Sequence, residues 1–124
     1  MSKNAIATVF YPSAKKYISE FLDSVRKQTS QDFVLIIFNN GLEDIKFYLD
    51  KIAGKYIISE VHDTPASIRV LLIKYLLKKK FKKILFADCD DVMTKNRLEI
   101  SFSMLDEFDV VVNDVFLKGK DIKL

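Results

Sequence analysis

The amino-acid sequence predicts an α/β domain in three layers, α/β/α, with helices on both faces of a mostly parallel sheet. Two observations predict it. Apolar runs of strand length alternate with longer stretches in which apolar residues recur at helical spacing, the order expected of βαβ crossovers. The plainest of these runs, FVLIIF from Phe33 to Phe38, is continuously apolar, as in a strand covered on both faces.

Each element has its own signal. Ala5 to Phe10 (AIATVF) reads as a short buried strand closed by Tyr11-Pro12-Ser13. Ser13 is suited to cap a helix from Ala14 to about Lys27, where Tyr17, Ile18, Phe21, Leu22 and Val25 recur at helical spacing. Phe33–Phe38 is the second strand, turned by Asn39-Asn40-Gly41 into a helix expected over Leu42 to Ile52. Tyr56 to Val61 gives a weaker third strand. After Asp63-Thr64-Pro65, Ser67 to Lys79 reads as a helix with Ile68, Leu71, Leu72, Tyr75 and Leu76 inward. Ile84 to Ala87 is a fourth strand, ending abruptly in Asp88-Cys89-Asp90-Asp91. A helix from about Asn96 to Leu105 and a fifth strand at Val110 to Val112 complete the pattern.

Length and composition fit one domain, 1–124. The chain has 124 residues, 49% apolar and 30% charged, without repeats, linkers or low-complexity segments, which excludes disorder. A single Cys excludes a disulfide framework and a cysteine-rich zinc module. With no signal-peptide or membrane-spanning apolar run, the expected address is the cytoplasm. A net charge of +3 gives no argument for nucleic acid as a partner. The lysines at 78, 79, 80, 82 and 83 are crowded, however. They read either as a helix end answering its own dipole or as a patch for anionic lipid or phosphate, which would bring the chain to the inner face of a membrane.

Ligands of such sheets sit beyond the carboxyl ends of the strands. Neither GxGxxG nor GxxxxGK[ST] follows any strand, which disfavours classical dinucleotide binders and P-loop enzymes. What does follow a strand is Asp88, Asp90 and Asp91 within four residues. Carboxylates that close repel one another unless a cation or donors neutralise them. Oxygen ligands suit Mg²⁺ or Mn²⁺, with water and substrate phosphates filling the remaining positions. The plain alternative is a solvated turn capping the next helix. Cys89 reads as a buried filler whose thiol the flanking carboxylates hold protonated, and His62 as a polar loop residue.

Phe86-Ala87-Asp88-Cys89-Asp90-Asp91-Val92, continuing through Asn96-Arg97-Leu98-Glu99, resembles the DxD region of family-2 glycosyltransferases of the GT-A fold, a Rossmann-like architecture. Leu22-Asp23-Ser24-Val25, Gln28-Thr29 and Asp32-Phe33 are similar to that family's first helix and second-strand entry. The resemblance implies a nucleotide-sugar donor, a divalent metal (Mn²⁺ or Mg²⁺) and inverting transfer to the hydroxyl of a glycan or lipid-linked acceptor. By position it assigns the metal to Asp90, with Asp88 supporting the metal or the ribose. Arg69 falls near the nucleotide, and Pro12 beside the base and ribose. Asn40 stands where the family has an Asp that accepts from the base; the neutral amide accepts more weakly.

The family's domains are about twice as long, their second half holding the acceptor pocket and the catalytic base. The resemblance therefore implies a donor-binding half, a truncated domain without its general base, with a homodimer or a complementary half-domain as partner. Asp109 and Asp114 are the first candidates should the base lie within these residues. Two other readings exist. One is an inactive nucleotide-binding or interaction module on the same scaffold. The other is a haloacid-dehalogenase-type phosphatase, whose D-x-D-x-[TV] Asp88 to Val92 fits, although that motif normally opens its domain.

Overall fold

The computed structural model describes residues 2–50, 52 and 55–112, and short strands at 116–117 and 122–123. Four strands, β1 (Asn4–Phe10), β2 (Val34–Asn39), β3 (Tyr56–Glu60) and β4 (Lys83–Phe86), form one sheet in the order β3-β2-β1-β4. Every pairing in it is parallel. The predicted three-layer fold is present.

Side-chain alternation along the strands sorts the core into two layers. Ile6, Phe10, Leu35, Ile37 and Leu85 face α1 (Lys15–Arg26), α2 (Ile45–Leu49) and α4 (Arg97–Met104). Ala5, Ala7, Val34, Ile36 and Phe38 face α3 (Pro65–Lys78), which contributes Ile68, Leu72 and Leu76. Strand β2 is buried along its whole length, which accounts for its unbroken apolar run.

Four local expectations are corrected. Ser13 does not cap α1: Pro12–Ala14 form a 3₁₀ turn running directly into the helix, whose cap position is Ala14, without a side-chain bond. Helix α2 is far shorter than Leu42–Ile52. The buried Asn39 side chain accepts from Leu42 N (3.1 Å) and donates to Leu42 O (2.9 Å), closing a loop. Gly41 and Asp44 then take left-handed conformations, φ 89° and 56°, which no helix can absorb. Helix α3 starts at Pro65, two residues before Ser67, because Thr64 Oγ1 accepts from Ser67 N and proline suits the first helical turn.

The fifth strand at Val110–Val112 is absent. These residues are irregular, with Val110 and Val112 76% and 87% exposed. Three valines have strand propensity, but no neighbouring strand supplies a ladder. A separate antiparallel pair, β5 (Phe116–Leu117) and β6 (Ile122–Lys123), lies further on.

Candidate functional site

The strand order reverses between β1 and β4, a topological switch point at which a crevice opens beyond the strand ends. Strand β4 ends at Phe86, level with Ala7, whereas β1 continues to Phe10. The shortfall leaves a cleft of about 500 Å³ between the end of β1 and the first turns of α3. Val9, Ile68, Leu72 and Phe86 give it apolar walls; Tyr11, Asn40, Arg69, Asp88 and Asp90 give it polar ones.

Immediately after β4, Ala87 N still donates to Ala7 O, and the chain then turns, with Asp91 N donating to Asp88 O (3.1 Å). Cys89 is fully buried while the acids on either side are exposed. One carboxylate oxygen each from Asp88, Asp90 and Asp91 can be chosen so that all lie within 4.8 Å of one another. Among the described residues this is the one such group of potential metal ligands. An all-oxygen set of mutually repelling carboxylates fits a divalent cation such as Mg²⁺ or Mn²⁺.

The neighbouring groups register that crowding. Burial, then Asp90 and Asp88, push the Asp91 carboxyl above its usual range, and Arg97 opposes the shift. Cys89 is pushed up to about 12, first by burial and then by Asp90, so it is an inert thiol. Arg69 Nη2 lies 3.9 Å from Asp88 Oδ1, but both side chains are mostly exposed and the pair adds little stability.

Tyr11 donates its phenol proton to Asp90 Oδ2 (3.1 Å). Its pKa is raised to about 12, chiefly by burial, then by the charges beside it and this bond. Behind the turn, buried Gln28 donates to Thr94 O (2.8 Å) and Ser24 O (3.0 Å) and accepts from Leu98 N (3.0 Å). Thr29 N donates to Lys95 O, and Thr29 Oγ1 to Glu99 Oε2. The segment after the acidic cluster is thus anchored to the end of α1.

Four of the residues predicted from sequence, Asn40, Arg69, Asp88 and Asp90, meet at one cleft. Pro12 is not among its lining residues; Tyr11 and Ser13 line it on either side, and the proline ring approaches Gly41. His62 is exposed, Asp109 lies in an irregular segment, and Asp114 is outside the described residues. The sequence points to Tyr11-Pro12 as a strand end where a ligand can sit but assigns Tyr11 no role, because its bond to Asp90 joins residues 79 positions apart.

No protein-family model matches the sequence, and no curated protein matches it. Solved structures do. S. aureus TarS 1-349 in complex with UDP aligns with 98% of this chain at 20% identity and a TM-score of 0.72. The same protein in complex with UDP-GlcNAc aligns with 98% at 20% identity and a TM-score of 0.73. A further structure of TarS 1-349 aligns with 86% at 23% identity and a TM-score of 0.65. The chain spans 33–38% of the length of these TarS chains. TarS is a family-2 glycosyltransferase of the GT-A type. The likeness establishes that this chain has the Rossmann-like α/β fold of the matching part of TarS.

Proposed function

We propose that this domain binds a nucleoside-diphosphate sugar in the β1–β4 cleft, in the service of inverting sugar transfer to an acceptor hydroxyl. The observation that carries the proposal is the meeting of Asp88 and Asp90, two of the three clustered carboxylates, with Arg69 and Asn40 at a single cleft. The fold is that of TarS, whose structures hold UDP and UDP-GlcNAc.

Asp90 and Asp88 would hold a divalent cation, whose charge would neutralise a diphosphate leaving group. Arg69, on the opposite wall, offers a planar guanidinium that can pair with phosphate or stack on a base. The Asn40 amide nitrogen donates to Asp63 O (3.3 Å), which leaves Oδ1 as the acceptor offered to the base. The apolar walls exclude water from one side of the bound donor. Acceptor deprotonation contributes about 10²–10⁴-fold where a base is in reach, and we assign it to none of the described residues.

Calorimetric titration of UDP with and without Mn²⁺ tests the proposal. Binding should require the metal, and Asp90→Ala should abolish the metal-linked part while the fold persists. Asp88→Ala should weaken it less. Equal UDP binding in excess chelator would remove the metal from the reading. UDP-sugar hydrolysis with Mn²⁺ would mark an active donor site, whereas binding without any turnover would favour a module that only holds the nucleotide.

A further inference from the structure

Helix α3 is apolar on two opposite sides. Ile68, Leu72 and Leu76 are buried against the sheet. Val70, Ile73 and Leu77, at spacings of three and four, point the other way and are 50%, 41% and 69% exposed. A helix whose outer face is solvated normally carries polar residues there.

The charge around this stripe has one sign. From Thr64 to Ala87 the chain has seven Lys and Arg and no acid, leaving thirteen Lys and Arg against all seventeen Asp and Glu elsewhere. Lys83 turns inward to Asp106 (2.6 Å), and Arg69 lines the cleft. The other five, Lys74, Lys78, Lys79, Lys80 and Lys82, are exposed beside or just beyond the end of the stripe. Helix α3 ends in a Schellman arrangement, with Phe81 N donating to Leu76 O and Lys80 N to Leu77 O. Lys80 occupies the left-handed position of that motif at φ 59°, where glycine would be unstrained. A cation there answers the helix dipole, but carrying any side chain costs backbone strain that glycine would avoid.

We propose that the outer face of α3 docks on an anionic lipid surface, with Val70, Ile73 and Leu77 entering the headgroup boundary and the lysines meeting lipid phosphates. Protein interfaces are depleted of lysine and enriched in aromatic residues. This stripe is aliphatic and lysine-rimmed, the composition of a helix lying in the membrane plane. Among the described residues no helix is long and apolar enough to cross a membrane, and the contact proposed is a peripheral one. The docking does not depend on the donor-site proposal.

Cosedimentation with equimolar phosphatidylcholine–phosphatidylglycerol vesicles tests it, with pure phosphatidylcholine vesicles as the control. The protein should sediment with the anionic vesicles and lose affinity as salt rises. Lys80→Gly should raise the melting temperature yet weaken vesicle binding about fivefold, and Lys74→Gln with Lys78→Gln about twenty-fivefold together. Because the chain has no Trp, Leu77→Trp gives a single emission that should shift to the blue on anionic vesicles. An unshifted emission despite sedimentation would mean adsorption by charge alone and overturn the docked helix. Equal binding to both vesicle types, or to neither, would also overturn it. So would a dimer in solution that Val70→Gln and Ile73→Gln dissolve, with no vesicle binding, since the stripe would then belong to a second copy.

Discussion

The Tyr11 phenol donates to Asp90 Oδ2 across 3.1 Å, joining residues 79 positions apart at the ends of the two strands that flank the switch point. Tyr11 follows β1 and Asp90 follows β4, so the bond spans the mouth of the cleft and fixes one oxygen of the carboxylate assigned to the metal. The other oxygen is left to a ligand.

Tyr11→Phe should therefore loosen Asp90 without disturbing the core. The bond is solvent-exposed, so its loss should cost the fold less than about 1 kcal/mol. Mn²⁺ affinity, followed by electron paramagnetic resonance, should fall about two- to tenfold, the equivalent of one modest hydrogen bond. Unchanged Mn²⁺ affinity would show that Asp90 is oriented by its backbone turn alone.

Gln28 performs a task that sequence assigns to a local cap. Asn96, at the cap position of α4, makes no side-chain bond, and Gln28 Oε1 accepts from Leu98 N in the first turn instead. Gln28→Ala leaves the Leu98 N–H without its acceptor and Thr94 O without its amide donor. With the side chain 4% exposed, a loss of about 2–3 kcal/mol is expected in urea unfolding. A loss below about 0.5 kcal/mol, the level of an ordinary surface substitution, would mean that water replaces the amide.

The strands were legible because each is an apolar run whose side chains meet helices on both faces, as Leu35 and Ile36 do on opposite sides of β2. Asp88 and Asp90 were legible because acids directly after an apolar run fall at a strand's carboxyl end whatever the topology. Gln28 was not, since its partner Leu98 lies 70 residues away and nothing local records the pairing. The length of α2 was hidden for a related reason. Leu42 and Ile52 have helical spacing, but the Asn39 side chain and the left-handed Asp44 override it. Val110–Val112 shows the converse: local propensity without a strand to pair with.

Thr8 contributes a buried polar group to β1. Its hydroxyl is without a hydrogen-bond partner, on a residue 2% exposed beside the cleft. Thr8→Val keeps the shape and removes the orphaned hydroxyl. It should raise stability by about 1 kcal/mol, readable as a higher denaturant midpoint at constant slope. A destabilised variant would indicate that an ordered water satisfies the hydroxyl.

Cys89 should make the fold lose stability in alkali. Its thiol pKa rises from 9.0 to about 12, so the unfolded chain releases this proton well before the folded one does. The sign follows by linkage. Below pH 9 both states are protonated and the stabilisation is whole; between 9 and about 12 only the unfolded state ionises, and stability falls. The slope approaches about 1.4 kcal/mol per pH unit for one group. Tyr11, raised from 10.0 to about 12, adds its share over the upper part of the same window. Cys89→Ala should flatten the decline above pH 9, while leaving a cavity that lowers stability at neutral pH. Tyr11→Phe should flatten only the part above pH 10. Alkylation by iodoacetamide at pH 8 gives an independent check: the native thiol should react far more slowly than the urea-unfolded one, because it is both buried and protonated. Equal rates in the two states would mean that the turn at Asp88–Asp91 opens often enough to expose it, and the acidic cluster would then lack rigid support from Gln28 and Tyr11.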